Sequence, residues 1–237
     1  MRGKSGLSVS VVIPTLQEEK YIGSILSKLV NIDSSLEIII VDGGSADRTV
    51  EIARRFTEKV FVLRERGIGR ARNYGASRAS GDIIIFVDAD IDLPPSFLEK
   101  VLSAFKRNEN VVGTTCNIMP KDPLPHEQVF FKLYNFIFSI LLLLKPHLRG
   151  EFLAVRRDAF MKIGGFNEDL PCCEDHELAF RLSKVGRIIL LRDLVVYESM
   201  RRFRRTGFLN VLKMWARDYI SLLLFNRTIS RSWEPVR

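Results

Sequence analysis

Apolar positions in this chain come in short unbroken runs that end on small or acidic residues. Val9-Ser10-Val11-Val12-Ile13 is closed by Pro14-Thr15, and Ile22, Ile25, Leu26 and Leu29 follow at helical spacing. Residues 36–41 repeat the plan and end in Asp42-Gly43-Gly44-Ser45, after which Asp47 is placed to cap a helix carrying Val50, Ile52, Ala53 and Phe56. A third unit pairs residues 60–63 with a helix over 69–79, and a fourth runs Ile83-Ile84-Ile85-Phe86-Val87 straight into Asp88-Ala89-Asp90-Ile91-Asp92. Strands that are apolar throughout and alternate with helices predict an α/β fold, with a mostly parallel sheet covered on both faces. In such sheets ligands bind beyond the carboxyl ends of the strands, where Thr15, Asp42, Asp88 and Asp90 all fall.

Two later segments change the picture. Residues 129–144 are apolar apart from Lys132, Asn135 and Ser139, and sixteen residues fall short of the ~20 that span a bilayer, so an interfacial or buried helix is expected. Residues 208–225 place Asn210, Lys213, Arg217 and Ser221 on one side of a helix and Val211, Leu212, Trp215, Tyr219, Leu222 and Leu223 on the other. Arg201, Arg202, Arg204 and Arg205 stand directly before it. A basic cluster beside an amphipathic helix predicts attachment to an anionic membrane surface, the alternative being a helix packed on the domain or between subunits. The expected organisation is therefore a domain over 1–200 and a basic helical tail over 201–237.

Composition narrows the partners. A chain of 237 residues with 46% hydrophobic and 27% charged content is ordinary globular usage. Its net charge of +8 implies an anionic partner, but few aromatics interleave with the arginines, which argues against nucleic acid. The three cysteines, Cys116, Cys172 and Cys173, are odd in number and lack metal-ligand spacing. With no apolar signal region in the first ten residues, the expected location is cytoplasmic, peripheral at the membrane face.

The candidate chemistry is acidic. The fourth strand ends in acid, and its alternation projects Asp88 and Asp90 to one side with little Ala89 between them, which suits a hard cation such as Mg²⁺ or Mn²⁺. The alternative makes these acids turn and cap residues, and that reading is preferred for Asp92. The first turn, Pro14-Thr15-Leu16-Gln17-Glu18-Glu19, contains no glycine, which excludes a dinucleotide fingerprint and a Walker loop there. Gly67-Ile68-Gly69 is read as a turn before a basic helix start, with Arg72 and Asn73 facing a nucleotide or solvent. Glu174-Asp175 opens a helix carrying Leu178, Phe180 and Leu182, where acids also favour the helix dipole, and His176 is expected to face outward.

Together these stretches resemble family 2 glycosyltransferases. The resemblance is carried by Val-Ile-Pro-Thr at 12–15, Val-Asp-Gly-Gly-Ser-Ala-Asp-Arg-Thr at 41–49, Arg-Asn-Tyr-Gly at 72–75 and Gly-Asp-Ile-Ile-Ile-Phe-Val-Asp-Ala-Asp at 81–90. Gly-Gly-Phe-Asn-Glu-Asp-Leu and Cys-Glu-Asp-His-Glu-Leu within 164–178 complete it. It implies a GT-A fold, a nucleotide-sugar donor, a divalent metal and inversion at the anomeric carbon. By the same resemblance Pro14, Thr15 and Glu18 surround the nucleoside, Asp42 meets the base, Asp88 lies near the ribose or metal, and Asp90 ligates the metal. Asp175 is implied as the general base for an acceptor hydroxyl. Leu16 stands where an aromatic often stacks on the base, no Gln-x-x-Arg-Trp follows Asp175, and Tyr197-Glu198-Ser199 lies where many members carry a metal-ligating His, so either Glu198 substitutes as a ligand or the metal shell is incomplete. The reading is a metal-dependent inverting transferase acting on an acceptor hydroxyl, lipid-linked or otherwise hydrophobic. The alternatives are a polyprenyl-phosphate sugar transferase and a non-catalytic basic binding protein.

Overall fold

The computed structural model describes residues 6–230; the last seven residues of the expected tail lie outside them. Among the described residues a seven-stranded sheet has the order β3-β2-β1-β4-β6-β5-β7. Its first half is the predicted repeat: β1 (Val9–Thr15), α1 (Ile22–Ile32), β2 (Glu37–Asp42), α2 (Thr49–Ala53), β3 (Val60–Val62), α3 (Ile68–Arg78) and β4 (Ile83–Val87). All the strand pairs here are parallel, with Thr15 in register with Asp42. The second half holds α4 (Phe97–Arg107), β5 (Val111–Pro120), α5 (Pro125–Leu144), β6 (Phe152–Arg156), α6 (Arg157–Lys162), α7 (Glu174–Leu182), β7 (Arg187–Glu198), α8 (Arg201–Thr206) and α9 (Phe208–Phe225). β6 runs antiparallel between β4 and β5, and β7 pairs parallel to β5.

Alternation along β1 divides the core. Val11 and Ile13 face one layer with Leu26, Ile85, Phe97, Phe105 and Phe152, while Val12 faces the other with Ile39, Phe86, Leu153, Phe160 and Leu178. Each such side chain, fully removed from water, contributes roughly 1.5–3 kcal/mol of burial. α3 lies so close to the sheet at Gly75 that a Cβ there would sit 2.3 Å from Val12 Cγ1 and 3.2 Å from Val41 Cγ2. That contact fixes the helix carrying Arg72 against β1 and β2.

Three expectations change. β4 ends at Val87, and Asp88 to Asp92 form a turn in which the Ile91 N–H donates to the Asp88 carbonyl at 3.3 Å, so strand alternation is not what places the two acids. α5 starts earlier than expected and is 20 residues long, enough by length and composition to cross a membrane. Pro125 opens it, and Glu127 reaches back to accept from the Leu124 N–H at 2.7 Å, so the polar His126-Glu127-Gln128 belong to its first turn. The helix is not buried: Phe131 and Phe138 face inward, while Leu133, Phe136, Ile137, Ile140 and Leu144 are exposed.

α9 is rotated from the expected orientation. Leu223 is exposed, whereas Ser221 and Asp218 are buried. Asp218 turns inward because it accepts from the N–H groups of Ile229 and Ser230, at 2.9 and 2.8 Å, and holds the chain that follows. α5 and α9 share an aromatic seam of Phe130 on Phe208 (4.5 Å between centroids) and Tyr134 on Trp215 (5.9 Å). Phe203 of α8 is buried in the same core layer as the sheet.

Candidate active site

Arg72 is at the centre of the site. Held by α3 with its side chain 1% exposed, it gives Nη1 to Glu174 Oε1 at 2.5 Å and Nη2 to both Asp88 Oδ1 (2.9 Å) and the Gly150 carbonyl (2.7 Å). The planar fork thus joins the end of β4, the loop before β6 and the start of α7. The expectation that Arg72 faces solvent gives way to this arrangement, since its side chain is 1% exposed and pairs with two carboxylates and a carbonyl. Burial pushes Glu174 up to about 7, against the pull of Arg72.

Gly150 sets the second feature. Its N–H donates to Asp175 Oδ2 at 2.7 Å, while Asp175 Oδ1 accepts from the N–H of His176 at 2.8 Å. Asp175 is thereby fixed in place, with acceptor positions left over. His176 does not face outward: its ring packs at 5.2 Å from both His147 and Tyr219, joining α7 to α9. His147 is pushed down to about 4, chiefly by burial and then by His176.

Asp90 and Glu18 form the third feature. Arg201 clamps Glu18 with both Nη atoms, at 2.8 and 2.7 Å, and its Nε lies 3.1 Å from Asp90 Oδ2. Burial pushes Asp90 up to about 6, with Arg201 opposing and Asp88 and Glu18 adding to it. Glu151 is pushed up to about 7 by burial, then by Asp175 and Asp88, and Glu198 well up by burial and its neighbours Glu151 and Asp90. Glu198 is therefore near enough to Glu151, Asp90 and Asp88 to feel their charge. Arg202 stands near enough to Asp90, Asp88 and Glu198 to feel their charge.

The basic cluster expected at a membrane is divided, with Arg201 and Arg202 half-buried and Arg204 and Arg205 exposed. Arg201 belongs to the site, and Arg204 is tied to Glu127 of α5 at 3.0 and 2.8 Å. Asp92 is likewise no helix cap, since its backbone bridges to Tyr197 and its carboxylate pairs with Lys28. Asp42 also differs from the expectation. Its Oδ2 accepts from Thr15 Oγ1 (2.8 Å) and Ser45 Oγ (2.6 Å), and its Oδ1 from the N–H groups of Gly44 (3.0 Å) and Ser45 (2.7 Å). With its acceptor positions filled, this carboxylate shapes the 42–45 turn and has little left to offer a base N–H. Pro14 and Thr15 lie on the same edge at the end of β1.

The donors available to a metal are carboxylate oxygens, the hard set that Mg²⁺ and Mn²⁺ take. Among the described residues no group of three or more His, Cys, Asp or Glu has metal-binding geometry. The fit rests on Asp88 and Asp90 at the turn, with Glu198 and Glu151 near enough to feel their charge; burial, with neighbouring acids adding to it, holds Asp90, Glu151 and Glu198 above the usual carboxylate range. Two protein carboxylates with remaining positions left to a diphosphate is a usual arrangement for Mg²⁺. Arg201, Gly150 and Glu151 were not visible as site residues in the sequence. The short spacing of Gly150-Glu151 from a strand end was their only signal.

A mostly parallel sheet with acids gathered at its carboxyl edge defines a GT-A nucleotide-sugar transferase fold, and the comparisons agree. The sequence matches glycosyl transferase family 2 over residues 10–164, and the chain belongs to that family. It is 36% identical over 112 residues to a dolichol-phosphate mannosyltransferase of Pyrococcus furiosus, covering 44% of this chain and 32% of the relative. It is 35% identical over 162 residues to 4,4'-diaponeurosporenoate glycosyltransferase of Staphylococcus haemolyticus, covering 64% and 43%. A solved mannosyltransferase from Pyrobaculum calidifontis, in complex with GDP-Man and Mn²⁺, superposes with a TM-score of 0.66 at 24% identity over 91% of this chain and 66% of that one, and so shares the fold. The chain spans from 32% to 66% of the length of the first curated relatives it matches. Family membership speaks against the non-catalytic alternative.

Proposed function

We propose that this glycosyltransferase moves a sugar, with inversion, from a nucleoside-diphosphate sugar to an acceptor hydroxyl, and that it requires a divalent cation. The observation that carries this reading is Asp175, held by the Gly150 N–H beside the Asp88–Arg72–Glu174 network with acceptor capacity to spare. A carboxylate so placed takes the proton as the acceptor oxygen attacks the anomeric carbon. One displacement on the face opposite the leaving diphosphate gives inversion. Asp88 and Asp90 would hold the cation, and Pro14, Thr15 and Glu18 line the donor side. When bound, the cation supplies positive charge against the developing nucleoside diphosphate. Arg72 keeps Asp88 and Glu174 in position, and Glu198 stands close to Asp90 as a further oxygen donor.

The acceptor is proposed to be lipid-linked and reached at the cytoplasmic membrane face. The exposed apolar arc of α5, from Leu133 to Leu144, supports that reading. Lys132, Lys145, Lys213 and Arg217 are exposed on or beside α5 and α9, whereas the acids of these helices, Glu127 and Asp218, are buried. Charge of that sign matches anionic headgroups. A second reading, transfer to a polyprenyl phosphate, is supported by relatives named as dolichol-phosphate and undecaprenyl-phosphate transferases. A phosphate acceptor needs no base, so the spare capacity of Asp175 favours the hydroxyl. The test is transfer from a panel of nucleoside-diphosphate sugars with Mn²⁺ or with chelator, reading product anomeric configuration by NMR. Metal-dependent inverted product supports the proposal, while retained configuration or equal activity in chelator refutes it.

A further inference from the structure

Arg201 makes three charged contacts, and all of them go to the two carboxylates on the donor side. Its Nη1 and Nη2 fork onto Glu18 Oε2 and Oε1 at 2.8 and 2.7 Å, and Nε faces Asp90 Oδ2 at 3.1 Å. The guanidinium also lies over the Tyr21 ring, 4.7 Å from its centroid. Glu18 and Asp90 are both mostly buried, with side chains 10% and 16% exposed. Left unpaired, two such carboxylates would be costly, so a cation is required whether or not a donor is present.

We propose that Arg201 is the resident counter-cation of the donor site, neutralising Asp90 and Glu18 in the donor-free enzyme and giving up Asp90 when metal and nucleotide enter together. The inference rests on Asp90 being a metal ligand. A guanidinium and a divalent ion on one carboxylate repel each other strongly at short range in a partly desolvated site. Occupancy of Asp90 by the two is therefore competitive. Metal alone must displace a bidentate-anchored side chain with little in return, whereas metal arriving with a diphosphate gains the phosphate oxygens as additional ligands. The consequence is an order: the cation is held tightly only as a metal–nucleotide pair. If Arg201 were instead a permanent strut tying α8 to the sheet, removing it would loosen the carboxylates and weaken metal binding.

The sign of one measurement separates the two. Mn²⁺ binding to the full chain without nucleotide is followed by electron paramagnetic resonance of free Mn²⁺, for the wild type, Arg201→Gln and Asp90→Asn, with folding checked by circular dichroism. The expected result is about tenfold tighter Mn²⁺ binding by Arg201→Gln, the scale of hydrogen bonds to a charged group, with a smaller difference when UDP or GDP is present. Unchanged or weaker binding by Arg201→Gln overturns the inference. Should that variant not fold, Arg201→Met, which keeps an apolar stem over Tyr21 but not the charge, is read by the same rule. If Mn²⁺ shows no Asp90-dependent binding even with UDP or GDP, the metal assignment fails and the inference falls with it.

Discussion

Arg72 Nη1 lies 2.5 Å from Glu174 Oε1, a buried ion pair that ties the third helix to the start of the seventh across the carboxyl edge of the sheet. Removing the arginine leaves Glu174 buried without its partner, and Asp88 loses a hydrogen bond at the same time. Arg72→Met is expected to destabilise the fold by about 3–5 kcal/mol in urea unfolding. Glu174→Gln keeps an acceptor for the guanidinium and should cost less, about 1–3 kcal/mol. Equal and small losses in both would show that the network is solvated.

Gly150 touches both halves of the site. A Cβ there would sit 3.3 Å from Arg72 Nη2, so the arginine must give by a few tenths of an ångström, and it would lie in ordinary contact, 3.5 Å, with Asp175 Oδ2, which the shifted arginine network would then move. Gly150→Ala should fold and bind donor, yet transfer should fall by up to ~10²-fold, as misplacement of a catalytic group does. Steady-state kinetics and calorimetric donor binding together check this. An unchanged kcat would mean that the site absorbs the added methyl without moving Arg72 or Asp175.

Stability in acid should report on Glu37 at the opposite end of the sheet. Burial would raise its pKa, but hydrogen bonds from Lys59, Ser10 and Ser80 outweigh burial and hold it at about 2. In the unfolded chain the group titrates near 4.5. The unfolded state therefore binds the proton first as pH falls, so this contribution is complete above pH 4.5 and is lost as pH drops toward 2. Glu37→Gln should flatten the slope of unfolding free energy against pH in that window. An unaltered slope would assign acid sensitivity elsewhere.

For the membrane, the structure moves the test from the arginines to α5. Leu133→Gln with Ile137→Gln and Ile140→Gln should abolish sedimentation with acidic liposomes and leave the fold intact, because these side chains face outward. Arg204→Glu should instead lower thermal stability, since it sets a second acid against Glu127. Retained liposome binding by the triple variant would assign the α5 face to protein contact.

What the sequence could convey followed from how local each signal was. The apolar runs of β1, β2 and β4 were legible because each strand is buried on both faces, and the helix that Glu174 and Asp175 open was legible from its apolar spacing. Arg201 was not, because its partner Glu18 lies 183 residues away and only the folded chain brings them together. The role of Arg201 within a run of arginines before an amphipathic helix was hidden for the same reason. The start of α5 was hidden by polar residues that serve as its cap, and Asp42 looked like a ligand-reading carboxylate until its turn was seen to fill it. β6 reverses direction between β4 and β5, a pairing that no local pattern specifies.

The most direct test of the account is Asp175→Asn, which preserves size and the contact with Gly150 but cannot take a proton. Transfer to a hydroxyl acceptor should fall by ~10²–10⁴-fold while metal-dependent donor binding, measured by calorimetry, stays within error of the wild type. Full transfer activity in Asp175→Asn would contradict the account and leave a phosphate acceptor as the better reading.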